Sequence, residues 1–298
     1  VVLIGFYYLF LEKERIFKFN RSYLLIALVF SYIVPFIPIK NPWPIVAKSN
    51  LIVGEAVQDF QIGTITRTEN VDWMSVLLIG YLLVSGFFLI KFFYSIFKIK
   101  FLKGEPINYR NQKIVIIDKE FAPFSFLNTI YLNRQHFNKK DMDERIFLHE
   151  KCHIDERHSL DILFVEFLKI FSWFNPALYF YKKAMINNHE FLADEFVLQN
   201  NDDLENYQYL ILNQIKVAQN FNLTHQFDFN NTKKRFIMMT SKSSKLVGMK
   251  KIILLPVLAI LFASFTKEKE VEIPSNSLQV KLNHNIAFSE NSKKVVET

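Results

Sequence analysis

The sequence predicts a mainly α, multi-span helical membrane protein whose largest soluble piece is an α+β domain with a small β-sheet. Three observations carry that expectation. Half of the 298 residues are hydrophobic, 32 of them phenylalanine, and the mean hydropathy is positive at +0.11, unusual for a soluble chain. Apolar runs recur along the chain, and the stretches beside them alternate between basic-rich and basic-poor. Between the last two runs, short β-branched segments give way to helical patterns.

Four runs are candidate spans. "VVLIGFYYLF" (1–10) is apolar but short, and reads as the end of a helix that starts before Val1; the natural N-terminus is expected to lie upstream. "YLLIALVFSYIVPFIPI" (23–39) is uncharged and near the spanning length of about 20 residues. "WMSVLLIGYLLVSGFFLI" (73–90) is the clearest, uncharged between Trp73 and Lys91. "IILLPVLAILFASF" (252–265) is shorter; Lys250, Lys251 and Lys267 at its flanks favour a short span over a buried core helix.

The flanks set the orientation. Lys13, Arg15, Lys18 and Arg21 follow the first run; Lys91, Lys98, Lys100 and Lys103 follow the third. Lys233, Lys234, Arg235, Lys242, Lys245, Lys250 and Lys251 precede the fourth, whereas the 40–72 loop has only Lys40, Lys48 and Arg67. By the positive-inside rule, 11–22 and 91–251 face the cytoplasm, with 40–72 and the tail outside. The expected organisation is therefore membrane helices over 1–99 with an external loop at 40–72, a cytoplasmic domain at 100–250, a last span at 251–266 and an external tail at 267–298. The expected location is a bacterial inner membrane, with the lipid bilayer as one partner.

The domain opens with strand-like "KIVIID" (113–118) and "TIYLN" (129–133), then helical patterns to about 220; the Asn-rich "NFNLTHQFDFNNTKK" (220–234) reads as a loop. A net charge of +7 raises nucleic acid as a partner. The basic residues cluster beside apolar runs instead, and there is no aromatic–basic RNA motif, helix-turn-helix signal or Gly-rich phosphate loop, so no direct nucleic-acid contact is expected. The single cysteine, Cys152, precludes an intrachain disulfide.

"IFLHEKCHIDERHSLD" (146–161) holds the chemistry. His149 and His153 are i and i+4, one turn apart on a helix face, so both imidazoles can point at one ion. Glu150 is rotated by about 100°, where it can accept a proton from a metal-held water rather than ligate. That is the physical content of a His-Glu-x-x-His pattern, and neutral imidazole suits Zn2+. "DMDERIF" ahead of it supplies an acidic first turn with Asp141 as N-cap. A chance match is the bland alternative. Cys152, between the histidines, reads as a small buried hydrophobe. His158 reads as a solvated histidine, and Glu166, with Asp161 and Lys169, as surface or membrane-interface charge.

A catalytic zinc needs a third protein ligand. A Gly-x-x-His continuation would put Gly at 156 and His at 159, but the chain has Glu156 and Ser159. Downstream, Asn175 caps and Pro176 opens a helix running to about Leu198. Glu190 and Asp194 share a face of it. Glu190 could ligate, and Asp194 could accept the free ring N–H of a ligating histidine; with Glu195 alongside, a solvated acidic face is the alternative. His189 is expected to be rotated away. His225, Tyr207 and Arg235 are candidates for stabilising an oxyanion.

"HEKCH", then "WFNP", then "HEFLAD", set between apolar runs, resemble the BlaR/MecR-type antirepressor membrane metallopeptidases, and "APFSFLNTIYL" is similar to that family's strand region. The resemblance covers about 20–265. "EFLAD" is also similar to the Glu-x-x-x-Asp element of prenyl-protein and heat-shock membrane proteases, where the Glu is the third zinc ligand and the Asp supports the site. Carried over, the resemblance implies Glu190 as ligand, Asp194 as support, and a zinc endopeptidase facing the cytoplasm that acts on a protein substrate such as a transcriptional repressor. A second copy, as a homodimer, is counted among its partners. About 32 residues follow the last run, too few for the family's penicillin-binding domain, and Ser95-x-x-Lys98 and Ser264-x-x-Lys267 match an acylation motif by composition alone; either the tail is truncated or another module does the sensing. The competing readings are a non-catalytic membrane signal transducer with a structural or vestigial zinc site, and a soluble helical protein with an accidental motif.

Overall fold

The computed structural model describes residues 1–37, 72–119, 121–134, 137, 143–201, 203–219 and 225–265, with side chains outside 216–229, 254–255, 257–258 and 261–265. The expected external loop and tail lie outside these residues, apart from Asp72. The structure divides into two units, Val1–Ser31 with Phe60–Val257, and Tyr32–Asp59 with Leu258–Thr298. Of the second, the described residues are the end of one helix, a 3₁₀ turn at Val34–Phe36 and the end of another helix. Everything below belongs to the first.

Helix α1 (Val2–Phe6) continues as a π-helical turn to Leu11, and α2 covers Phe17–Ile33. Helix α3 (Trp73–Lys100) is capped by Asp72, whose carboxylate accepts from the Met74 N–H at 3.1 Å. Two stretches are long and apolar enough to cross a membrane, Phe17–Phe36 and Trp73–Lys100; Val2–Leu11 is apolar but shorter. Helix α9 (Val247–Phe265) contains Pro256. By length and composition this amounts to two candidate spans among the described residues, fewer than the four expected. Helix α3 runs ten residues beyond the uncharged segment 73–90, because Lys91, Lys98 and Lys100 are good helix formers that also complement the C-terminal dipole.

The domain's sheet has order β1-β2-β4-β3, built from β1 (Glu105–Tyr109), β2 (Gln112–Ile117), β3 (Phe124–Phe126) and β4 (Thr129–Asn133). The two strands read from sequence, β2 and β4, are the central parallel pair. Both edge strands escaped that reading. β1 carries Pro106, which an edge tolerates, and β3 is three residues long. A tight turn with Arg110 and Asn111 both at positive φ joins β1 to β2. One sheet face, Ile114, Ile130 and Leu132, packs on Ile146, Phe147 and Ile154 of helix α4 (Glu144–Asp155).

After α4 come α5 (His158–Phe171), α6 (Pro176–Asn200), α7 (Leu204–Gln219) and α8 (His225–Thr240). The Asn175 carboxamide caps α6 by accepting from the Ala177 N–H at 3.0 Å, with Pro176 first in the helix, as the sequence predicts. The expected loop at 220–234 is corrected over 225–234, which is the first part of α8. Asparagines are poor helix formers, but α8 packs on α6 and its Arg235 pairs there, so tertiary contacts override local propensity.

Candidate metal centre

Four helices, α4, α6, α7 and α8, and strand β3 build the site. α4 starts at Asp143, which accepts from the Arg145 N–H at 3.0 Å and pairs with the Arg145 side chain. The N-cap is thus Asp143; the expected cap, Asp141, lies outside the described residues. With the apolar face of α4 on the sheet, His149 and His153 turn toward α6. Glu150 is buried, and it lines the cleft together with Ser125 of β3. Cys152 is buried, and burial pushes its thiol up to about 12, which suits packing rather than reactivity.

The structure brings His149, His153 and Glu190 together, one donor atom from each lying within 4.8 Å of the others. His149 Nε2 and His153 Nε2 face each other at 3.3 Å. Glu190 Oε2 is 3.5 Å from the first and Oε1 is 3.5 Å from the second. The edge of a tetrahedron with metal–ligand bonds of about 2.1 Å is about 3.4 Å, so these separations fit a bound metal. The ring contacts agree. His149 Nδ1 lies 2.9 Å from the Tyr207 hydroxyl, and His153 Nδ1 lies 2.8 Å from His158 Nδ1. A proton on each Nδ1 leaves both Nε2 lone pairs converging on one point beside a carboxylate, an arrangement that calls for a cation. Without one, the two rings cannot be alike. Burial lowers His149, but Glu190 more than offsets it and holds that ring's pKa up, whereas burial drives His153 down to about 3. Burial also raises Glu190, yet Arg235 and the two imidazoles hold it well below the usual carboxylate range. Glu150 is raised, by burial first and with Glu190 adding to it.

Asp194 supports the cluster by a different route from the expected one. Its Oδ1 is 3.5 Å from His149 Nδ1, beyond hydrogen-bonding distance. The Tyr207 hydroxyl bridges them, donating to Asp194 Oδ1 at 2.9 Å while contacting His149 Nδ1. Arg235 holds the same carboxylate through two donors, 2.8 and 2.5 Å, and reaches Glu190 Oε2 with Nη1 at 2.9 Å. Tyr207 and Arg235 are therefore at the site, engaged with its acidic residues. The side chain of His225 lies outside the described residues.

The sequence expectation of a solvated His158 is corrected here, and two neighbours prove to be buried with it. His158 is buried, not solvated, and its ring stacks on that of His189 at 3.9 Å and 9°. His189 is buried too, with Nε2 2.9 Å from Asp161 Oδ2, and Asp161 itself is buried rather than a surface charge. The reason lies in two features. Arg157 adopts a left-handed conformation, φ 55°, so α5 begins in a new phase and the spacing of α4 no longer predicts where His158 points. Helix α6 packs on α4, α5 and α8, so it has several inward faces rather than one. Glu166, as expected, is half-exposed, paired with Lys169 and Lys182.

A cleft of about 490 Å³ opens over the cluster, lined by β3, by His149, Glu150 and Glu190, and by apolar residues of α5 and α7 such as Ile162 and Ile211. β3 is an edge strand, paired on one side with β4.

The family model described as BlaR1 peptidase M56 matches residues 121–239, the stretch that holds all of these side chains. Regulatory protein BlaR1 of Staphylococcus aureus is 24% identical over 300 residues, covering 84% of this chain and 50% of that protein. The chain thus spans about half the length of the curated relative it matches. A metallopeptidase family implies a metal, and the His–His–Glu cluster, inside the matched stretch, is where this chain could hold it. The match to the M56 peptidase model falls on the residues that build the cleft, and over most of its length the chain is similar to BlaR1, which together support the BlaR1/MecR-type resemblance.

Proposed function

We propose that the chain is an integral-membrane zinc metalloendopeptidase, a signal-transducing antirepressor that cuts a cytoplasmic regulator or itself. The observation that carries this reading is the convergence of three donor atoms, with a buried carboxylate that is not one of them, Glu150, on the wall of an open cleft.

His149, His153 and Glu190 would hold the zinc, and Tyr207, Asp194 and Arg235 would fix His149 and Glu190 in place. Bound zinc supplies a Lewis acid that makes a held water acidic near neutral pH. With zinc in place, Glu150 would hold the water's proton on a carboxylate oxygen and could pass it to the leaving amine nitrogen. The β3 edge offers backbone groups to an extended substrate, which would add as a strand along the cleft.

Orientation follows the basic flanks. Arg15 contacts Glu195, and Arg21 contacts Glu156 and Asp161, so the start of α2 and the segment before it pack on the domain, which supports both being on the cytoplasmic side. A reporter fused at Asn111 should behave as cytoplasmic; clipping there by external protease in intact cells would reverse the topology.

The test of the enzyme reading is metal and cleavage together. The full chain, purified in detergent, should carry about one zinc, lost in His149→Ala and His153→Ala. Co-expressed with a repressor encoded beside it, the wild type should cut that repressor or itself, and the zinc-free variants should not. A zinc-loaded wild type that cuts nothing under any inducing condition would favour the non-catalytic transducer.

A further inference from the structure

Arg21 lies near the start of α2, a helix apolar enough to cross a membrane, and it reaches into the corner between α4 and α5. Its Nη1 donates to Glu156 Oε2 at 2.8 Å and its Nη2 to the Glu156 carbonyl at 2.5 Å. That carbonyl belongs to the C-cap of α4. Its Nε donates to Asp161 Oδ2 at 2.7 Å, in the first turn of α5. One side chain thus ties together the two helices that carry His153 and His158.

A continuous set of contacts runs on from there. The oxygen of Asp161 that Arg21 grips also accepts from His189 Nε2 at 2.9 Å. The His189 ring stacks on that of His158, and His158 Nδ1 is 2.8 Å from His153 Nδ1. For His153 to offer its Nε2 lone pair, its Nδ1 must carry the proton and donate to His158, whose own proton then sits on Nε2. That Nε2 is buried and has no hydrogen-bond partner among the described residues. The tilt of His158 is therefore set by the stack on His189, which depends on Asp161, which depends on Arg21. Metal-bound histidines ordinarily meet a carboxylate or carbonyl directly. Here the carboxylate is two rings away and is shared with a membrane-helix arginine.

We propose that Arg21 is a positioning residue for the metal cluster, by which the placement of α2 sets the orientation of His153. This rests on His153 being a zinc ligand. A displacement of α2 would loosen the zinc and slow turnover, although no residue of α2 itself lines the cleft.

The test uses the full chain in detergent, with zinc alone as the probe, competed against a chromogenic chelator. Arg21→Ala and Asp161→Asn should each weaken zinc binding by about 10- to 100-fold, the range for groups that orient a ligand. The double variant should be no worse than the weaker single, since both cut one chain of contacts. His158→Phe leaves the Arg21 clamp and the stack in place but removes the acceptor for His153 Nδ1, and should weaken zinc similarly. Arg21→Lys, which keeps the charge without the fork, should fall between. Wild-type zinc affinity in His158→Phe, or additive losses in the double variant, would overturn the inference alone, while His153→Ala still loses its zinc. A wild type that binds no zinc overturns the metal reading and this inference with it.

Discussion

Helices α3 and α6 invert the usual relation between polarity and burial. α3 is almost wholly apolar, yet Ser85 is its only buried residue, and Leu77, Leu83, Phe87 and Ile90 are all exposed. α6 is mixed in composition, yet it buries Asn187, Asn188, His189 and Asp194 along with its aliphatic residues. In a water-soluble fold both helices would be costly, the first for its exposed apolar surface and the second for its buried polar groups. The difference teaches that each has its own surroundings. Lipid suits the surface of α3, whereas α6 meets partners for most of its buried polar residues: Asp194 pairs with Tyr207 and Arg235, His189 with Asp161, and Asn188 Nδ2 donates to the Phe17 carbonyl, while Asn187 Nδ2 and Asn188 Oδ1 have no partner among the described residues.

The largest effect should come from breaking that satisfaction. Asp194→Ala leaves Arg235, whose side chain is 16% exposed, without its main partner. Removing one member of a buried pair costs roughly 3–5 kcal/mol, so a large drop in Tm in detergent is expected. Removing Arg235 as well should recover part of it. Helix α3 should respond in the opposite way to the same kind of change. Leu83→Lys adds a charge at a site already 71% exposed. In water such a change is worth at most about 0.5 kcal/mol; at a bilayer centre it costs roughly 2.5–3.5 kcal/mol. The share of protein left in membranes after alkaline extraction decides between them, and unchanged partitioning would remove lipid from the account of α3. The smallest effect belongs to the helix end. Asp143→Ala removes the cap of α4 and should cost about 1 kcal/mol with zinc retained; loss of zinc there would mean that the cluster depends on the start of α4, not on its packing against α6.

The same contrast explains what was legible in the sequence. The apolar run at 73–90 and the i, i+4 histidines at 149 and 153 are local patterns, and local geometry alone gives a helix and a shared face. The cap at Asn175–Pro176 is local as well. The route from Asp194 to His149 is not: Tyr207 and Arg235 come from α7 and α8, 13 and 41 residues further on, and nothing near them marks a site. His158 was misjudged because the argument assumed a single continuing helix face, and the left-handed Arg157 removes that assumption; His189 lies outside the His–His–Glu cluster, and the several packed faces of α6 bury it. Arg21 is further still, 140 residues from Asp161, hidden within a run of basic residues that explains itself as a membrane flank.

The central claim is that Glu150 acts on a water held by the cluster without itself holding the metal. Glu150→Gln is nearly isosteric and cannot take a proton. Zinc content and cleavage rate should be measured on the same preparation of wild type and variant. The account predicts equal zinc, about one per chain, and cleavage reduced by at least about 10²-fold, the lower end of what general acid–base catalysis supplies. A Glu150→Gln chain that keeps its zinc and cleaves at the wild-type rate would contradict it.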